Sequence, residues 1–318
     1  MIHRDLEFLL DSKEPLEDFC SNGGVWDLYL ASYNNNDRVR TVFTNIPAKN
    51  KVWIVQPEYG YTQAELASIG EYYTLANSKE SDWVINTFEH ILIKYPYAKK
   101  ICIDITGLMR PHLLFILLYL KYKGFNEFDM LYTEPIRYQR KDETKFTLAD
   151  VSEVRQVEGF AGSHDTNMSN DVLIVGVGYD HNLVSRVILE KSSARLVQLH
   201  SLPSLSADMY QESILRLDRV STRAKPLDDQ IFFSSANDPY ATMAALASAF
   251  KELHTQRPIT NLYLSPLATK PQALGFGLYY LLHKPMEACS IIFPFSDSYD
   301  KETGKGVGRS WVYPIYLM

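Results

Sequence analysis

A basic residue followed directly by proline occurs twice in this sequence, each time after a short apolar stretch and before a longer apolar run. Arg110–Pro111 is one copy, and Lys270–Pro271 lies 160 residues later. Each copy predicts a strand, a polar loop and a helix, because proline is tolerated in the first helical turn. A cation there suits an anion, since the free N–H groups and the helix dipole point the same way. We predict that Arg110 and Lys270 hold phosphate with Thr106 and Thr269; the alternative is a solvated cation before a helix.

Two further pairs of loops belong to the same edge of the predicted sheets. Ligands of an open parallel sheet bind beyond the carboxyl ends of its strands. The polar or turn-forming candidates in these loops are Tyr33, Asn34, Asn77, Gly178, Tyr179, Asp180 and Asn237. They suit contacts with a base edge or a ribose, although asparagine also suits turns for purely local reasons.

Two glycine-rich segments are weaker signals. Gly304–Arg309 lacks the spacing of a phosphate-binding Walker loop and leads into a strand, but its Lys305 and Arg309 could close over an anion. Gly176–Gly178 follows a strand as in a dinucleotide fingerprint, yet the third glycine and the later acidic residue are missing.

The sequence contains no constellation that demands an enzyme. Its eight histidines do not pair with cysteine or carboxylate at metal-ligand spacing, so we predict no metal and no cofactor. No nucleophile elbow is present. If the chain is catalytic, the acid–base candidates near strand ends are Glu134, His181 and Asp297.

Composition and net charge limit the classes of partner that we expect for this protein. The chain has 318 residues, a net charge of -6 and a pI of about 5.8, which argues against an extended nucleic-acid surface. The longest apolar run, Leu113–Leu120, is too short to span a bilayer. Three scattered cysteines fit a reducing compartment. We therefore expect a cytoplasmic protein without membrane contact.

Predicted strands alternate with predicted helices along the whole chain, which favours parallel sheets covered by helices. The second half repeats the first, with matches at an offset of 146 residues after the first strand and 160 from the third strand onward. We predict the α/β class: two tandem Rossmann-like domains with mainly parallel sheets, related by internal duplication, at residues 1–158 and 159–318. Each half is expected to end in a closing strand of its own, before Val157 and before Leu317.

Asp104–Pro111 and Ser265–Gly275 resemble the loop after the fourth strand of CARF domains, which has a Thr-Gly-Gly-Thr-Lys-Pro-like sequence before an apolar helix. CARF domains are Rossmann-like sensors of cyclic oligoadenylates in CRISPR defence. Two such units in one chain are similar to the SAVED arrangement of cyclic-oligonucleotide defence systems. The chain departs from the CARF loop at Leu108–Met109 and at Pro266–Ala268.

The resemblance implies a ligand-sensing subunit that binds a cyclic oligonucleotide, or a related nucleotide second messenger, in bacterial antiviral defence. Because no effector segment is recognisable, it also implies either a separate effector protein or a role as a ligand sink or ring-cleaving enzyme. Two alternatives stay open: an enzyme acting on a nucleotide or sugar phosphate, including a ring nuclease, and a non-catalytic assembly subunit.

The two halves are not expected to contribute equally. The second half keeps Lys270 with Thr269, the glycines at 176 and 178 and the loop Gly304–Arg309. The first half has bulky Leu108–Met109 where close approach of a phosphate needs glycine, and it lacks glycine after its first strand. The sequence thus predicts more ligand contacts from the second half.

Overall fold

The structure is a computed structural model, and its described residues form two compact units. It describes residues 13–76, 79–138, 151–178, 180–205, 211, 230–283, 285–296, 299, 301 and 304–317. The first unit comprises the described residues of 13–138 and 299–317, and the second unit those of 151–296.

Strands and helices are numbered in chain order. The strands are β1 (Glu14–Pro15), β2 (Trp26–Ser32), β3 (Ala48–Val55), β4 (Tyr72–Thr74), β5 (Ile101–Asp104), β6 (Glu127–Thr133), β7 (Arg137–Tyr138), β8 (Val151–Gln156), β9 (Val172–Gly176), β10 (Arg195–Ser201), β11 (Gln230–Ser234), β12 (Leu262–Pro266), β13 (Cys289–Ser296), β14 (Gly304–Lys305) and β15 (Ser310–Tyr316). The helices are α1 (Leu16–Ser21), α2 (Asp37–Asn45), α3 (Gln63–Leu66), α4 (Glu80–Lys94), α5 (Arg110–Tyr122), α6 (His181–Glu190), α7 (Pro239–Gln256) and α8 (Lys270–His283).

The two main sheets share one strand order. It is β4-β3-β2-β5-β6-β15-β1 in the first unit and β11-β10-β9-β12-β13-β8 in the second. Five adjacent strands of each sheet are parallel, and the sixth runs antiparallel to them. The chain order reverses between β2 and β5 and between β9 and β12, which is where open α/β sheets bind ligands. The predicted α/β class with two Rossmann-like, mainly parallel units is confirmed.

The closing strands differ from the prediction. β8, from the end of the first sequence half, pairs with β13 of the second unit, and β15, from the end of the chain, pairs with β6 of the first unit. The units are therefore not the predicted segments 1–158 and 159–318. The two closing strands are thus exchanged relative to the sequence halves, which is possible because antiparallel backbone pairing at a free edge does not depend on the half that supplies the strand.

Burial explains why the central strands have little polar character. Every residue of β5, β9 and β12 is buried, as expected for parallel strands covered on both faces by helices. Helix α5 is buried on nearly all sides, which matches its almost continuous apolar sequence.

Candidate functional site

The edge of each sheet at which the parallel strands end is called the strand-end face below. In the first unit the loop after β2 is tightly built. Tyr33 is 6% exposed, and its ring packs edge-on against Trp53 at 5.3 Å and Tyr61 at 5.0 Å. Asn34 accepts a hydrogen bond from the N–H of Asn36 at 3.0 Å. The predicted ligand residues Tyr33 and Asn34 are thus buried and hold the loop in shape.

Arg38 lies next to this loop and was missed by the sequence reasoning. It occupies the first turn of α2, where the helix dipole disfavours a cation. Its Nη1 donates to the carbonyl of Thr133 at the end of β6, at 3.1 Å. Because β5 lies between β2 and β6, this side chain crosses the point where the strand order reverses.

The Arg38 side chain is buried without a counter-ion among the described residues. The residue is 5% exposed, its Nε has no hydrogen-bond partner, and it makes no ion pair with any residue that the structure describes. A guanidinium keeps its charge at all physiological pH values, so the site holds a buried positive charge.

Tyr59 shows that a second arginine is close. Its hydroxyl donates to the carbonyl of Gly107 at 2.8 Å. Burial raises the pKa of Tyr59 to about 12, while a hydrogen bond with Asn34 and the charges of Arg38 and Arg110 act to lower it. Both guanidinium groups therefore lie near the Tyr59 hydroxyl.

Gln56 follows β3 and is completely buried. Its Oε1 accepts from the hydroxyl of Ser32 at 2.9 Å and from the N–H of Met109 at 3.2 Å. Its Nε2 has no hydrogen-bond partner among the described atoms. A lone polar residue directly after the apolar end of β3 was the sequence signal for this position.

The predicted phosphate loop after β5 is only partly available. Thr106 is buried, and its hydroxyl accepts from the N–H of Thr133 at 2.9 Å. Arg110 is half-buried and is the first residue of α5, and the preceding Met109 makes no side-chain capping bond. Thr106 therefore joins β5 to β6, whereas Arg110 stands at an uncapped helix N-terminus.

The segment Gly304–Arg309 belongs to the first unit, although it lies near the end of the chain. The Asn36 amide donates to the carbonyl of Gly304 at 2.9 Å, and β14 pairs with β7. Lys305 and Arg309 are exposed, and Arg309 lies 5.4 Å from the ring centre of Trp311. The exchange of closing strands thus brings these two predicted cations to the unit that contains Arg38 and Arg110.

The second unit uses its predicted residues for internal structure. The Asp180 carboxylate caps α6 by accepting from the N–H groups of Asn182 at 3.1 Å and Leu183 at 3.3 Å. Asp238 caps α7 in the same way, with Pro239 as the first helical residue as predicted. Carboxylates at these helix N-termini already supply the negative charge that the dipole favours.

The loop before α8 is internally hydrogen-bonded as well. The Thr269 hydroxyl donates to the carbonyl of Ala236, and Thr269 also accepts from the N–H of Gln272 at 3.3 Å. Gln272 is fully buried; its Oε1 accepts from Ser201 at 2.8 Å and its Nε2 donates to Ser234 at 2.9 Å. Lys270 is the half-buried first residue of α8.

The glycines of the second unit serve packing rather than phosphate approach. A Cβ at Gly178 would lie 2.1 Å from the carbonyl oxygen of Leu267, and one at Gly176 would lie 3.2 Å from the Phe276 ring. The first unit has the same close contact with its glycine in the other loop, since a Cβ at Gly107 would lie 2.2 Å from the carbonyl oxygen of Ser32. A glycine at this close loop contact is therefore common to both units, and the glycines alone do not favour more ligand contacts in the second.

The remaining candidates separate between the units. Glu134 is in the first unit, where its carboxylate accepts from the Trp311 indole at 2.8 Å, and His181 begins α6 in the second. Asn237 accepts from the Ser235 hydroxyl at 2.9 Å. Asn77, Tyr179 and Asp297 lie outside the described residues.

Across the described ranges, no cluster of three or more histidine, cysteine, aspartate or glutamate residues is arranged to hold a metal ion. In the same residues, no helix combines the length and the apolar character that crossing a membrane requires. Comparison with protein-family models and with curated proteins finds no match for this chain.

Proposed function

We propose that this protein binds a nucleotide ligand, a cyclic oligonucleotide above all, through its phosphate groups at the strand-end face of the first unit, and signals to an effector protein. The observation that carries the proposal is the buried Arg38 guanidinium, which has no carboxylate partner in the described part of the chain. A bound phosphate would supply the missing negative charge.

Burial without a counter-ion is costly for an arginine. Taking an ion out of water costs several kcal/mol even after relaxation, and one bond to a backbone carbonyl compensates only part of that. Arginine is also the side chain that best matches the geometry of a phosphate, since its planar group donates two parallel hydrogen bonds. If the residue at position 38 only stabilised the fold, an apolar side chain would do so equally well.

Three further features favour a nucleotide phosphate over other anions. The arginine crosses the reversal of strand order, where Rossmann-like sheets bind nucleotides. Arg110 adds a second cation at the N-terminus of α5, which has no side-chain cap. The loop that contains Arg110 is also the one that resembles the ligand loop of CARF domains.

The test compares two arginines of α2 that carry the same charge. Arg38 is buried, whereas Arg40, two positions on, is exposed. Calorimetric titration with cyclic di-, tri- and tetra-adenylate at one fixed salt concentration should show binding by the unmodified protein. Arg38→Met should weaken it about tenfold to hundredfold, the value of a charge-assisted hydrogen bond. Arg40→Met should change it little.

Two outcomes would contradict the proposal. One is the absence of binding by every member of the panel at protein concentrations of tens of micromolar. The other is an equal loss in the two variants, which would mean that only the net charge matters. Chromatography of the same mixtures shows whether a bound ring is also cleaved.

A further inference from the structure

The side-chain amide of Gln56 has a fixed orientation. Its Oε1 faces the N–H of Met109 at 3.2 Å, and a backbone N–H can only donate. Turning the amide over would place two donors against each other. The hydroxyl of Ser32, at 2.9 Å from the same oxygen, can donate or accept and is compatible with this orientation, so the Met109 N–H decides it. The NH₂ group is therefore directed away from both of these partners.

This NH₂ group is one of the few buried polar groups at the strand-end faces for which the described residues supply no hydrogen-bond partner. Gln56 is 0% exposed, and its Nε2 finds no partner among the described atoms. Buried polar groups in native proteins are normally hydrogen-bonded, and each one that is not calls for an explanation. Gln272, equally buried at the corresponding face of the second unit, has both ends of its amide bonded. The unpartnered amide is thus specific to the first unit.

The surroundings indicate what the NH₂ group would bind. Met109, whose N–H contacts the same amide, directly precedes Arg110 and the N-terminus of α5. A helix N-terminus with an arginine as its first residue favours an anion. We infer that Gln56 donates its amide N–H groups to a phosphate oxygen of the ligand, beside Arg110. The inference rests on the proposed function. It adds Gln56 to the binding residues, and an NH₂ donor at this position favours a ligand group that only accepts hydrogen bonds, such as a phosphate oxygen.

The experiment distinguishes the effect of the Gln56 NH₂ donor on binding from the effect of the contacts that hold its oxygen. Gln56→Glu keeps an oxygen toward Ser32 and Met109 but replaces the NH₂ donor by a negatively charged acceptor. Gln56→Met keeps the approximate volume and removes all the hydrogen bonds. Ser32→Ala is the matched control, because it removes one contact to Oε1 and leaves the NH₂ group in place.

The probes are cyclic di-, tri- and tetra-adenylate, titrated into the full chain after thermal melting has shown that each variant is folded. Gln56→Met should weaken binding about fivefold to hundredfold, and Gln56→Glu more than that. Ser32→Ala should cost less than either.

Three results would overturn the inference. If Arg38→Met weakens binding while both Gln56 variants bind as the unmodified protein does, Gln56 has no part in the site and a bound water satisfies its amide; the proposed function then stands. If Ser32→Ala costs as much as Gln56→Met, the amide acts only as a structural support. If the unmodified protein binds none of the probes, the inference and the proposed function fail together.

Discussion

The strand-end faces of the two units have the same strand order but satisfy their buried polar groups differently. In the second unit, Gln272 is bonded at both ends, to Ser201 and Ser234. In the first unit, Gln56 is bonded only at its oxygen, and Arg38 is buried without a counter-ion in the described part of the chain. The buried amide of Gln272 is thus satisfied within the protein, whereas the described residues offer Gln56 no acceptor for its NH₂ group and Arg38 no negative charge.

The charges at the helix N-termini differ in the same sense. In the second unit, α6 and α7 are capped by the carboxylates of Asp180 and Asp238. In the first unit, α2 is capped by the neutral Asn36, and α5 has no side-chain cap. The capping carboxylates of α6 and α7 therefore disfavour a negative ligand at those two helices, whereas α5 has no capping carboxylate. Two units of one strand order thus differ in the polar residues at their strand-end faces.

The largest effect should come from the close loop contact that the two faces share. Gly107→Ala and Gly178→Ala should each lower the free energy of unfolding by about 3 kcal/mol, because the new Cβ meets a backbone oxygen that cannot easily move. Urea unfolding followed by circular dichroism gives the comparison. Gly124→Ala is the control, since it has a φ of +80° but open space, and should cost about 1 kcal/mol. Equal losses of unfolding free energy in all three variants would show that the contact with the backbone oxygen is not the cause.

Acid should destabilise the second unit by protonating His200. This buried residue precedes Ser201, and burial lowers its pKa to about 4. The unfolded chain takes up a proton near pH 6.5 and the folded chain only near pH 4, so stability falls as the pH drops between these values, by at most about 1.4 kcal/mol per pH unit. His200→Asn should flatten that decline in urea midpoints measured from pH 7 to pH 4. An unchanged slope would show that other groups cause it.

The two glutamines should differ in their contribution to stability. Gln272→Met leaves Ser201 and Ser234 without their partner and should cost about 2 kcal/mol. Gln56→Met also removes an unsatisfied donor, so its cost should be about 1 kcal/mol or less. Urea midpoints of the ligand-free variants test the difference. A larger loss of unfolding free energy for Gln56→Met than for Gln272→Met would contradict the view that Gln272, and not Gln56, has all its hydrogen bonds within the protein.

The smallest effect on stability should be that of Arg38→Met without ligand. Removing a buried charge offsets the lost bond to the Thr133 carbonyl, so the free energy of unfolding should change by less than about 1 kcal/mol. Arg40→Met, on the exposed side of the same helix, should change it by about 0.5 kcal/mol at most. A loss of several kcal/mol at Arg38 would mean that the arginine supports the fold rather than a ligand.

The sequence was a good guide to the elements and a poor guide to the partners of their side chains. Strong apolar runs and the repeated strand–loop–helix pattern predicted the two α/β units, because burial on both faces leaves a clear signature. The exchange of β8 and β15 was not predictable, since either closing strand suits either fifth strand. Local sequence does not encode such long-range choices.

The sequence placed the candidate residues at the strand-end edge, and the structure draws attention to other residues at the same edge. The loop residues Tyr33, Thr106 and Asp180 make internal packing, hydrogen-bond and capping contacts, as turn formers and caps commonly do. Arg38 and Gln56 are recognised only by the absence of partners, which depends on packing. Their sequence signals were faint: a cation in the first turn of a helix, and a single amide after a buried strand.

The most direct test of the central claim is a crystal structure of the full chain with a phosphorothioate analogue of whichever cyclic adenylate binds, its sulfur located by anomalous scattering. The account predicts a phosphate within hydrogen-bond distance of the Arg38 guanidinium and the Gln56 amide, beside the N-terminus of α5. A phosphate held by Lys270 in the second unit, with Arg38 and Gln56 uncontacted, would contradict it.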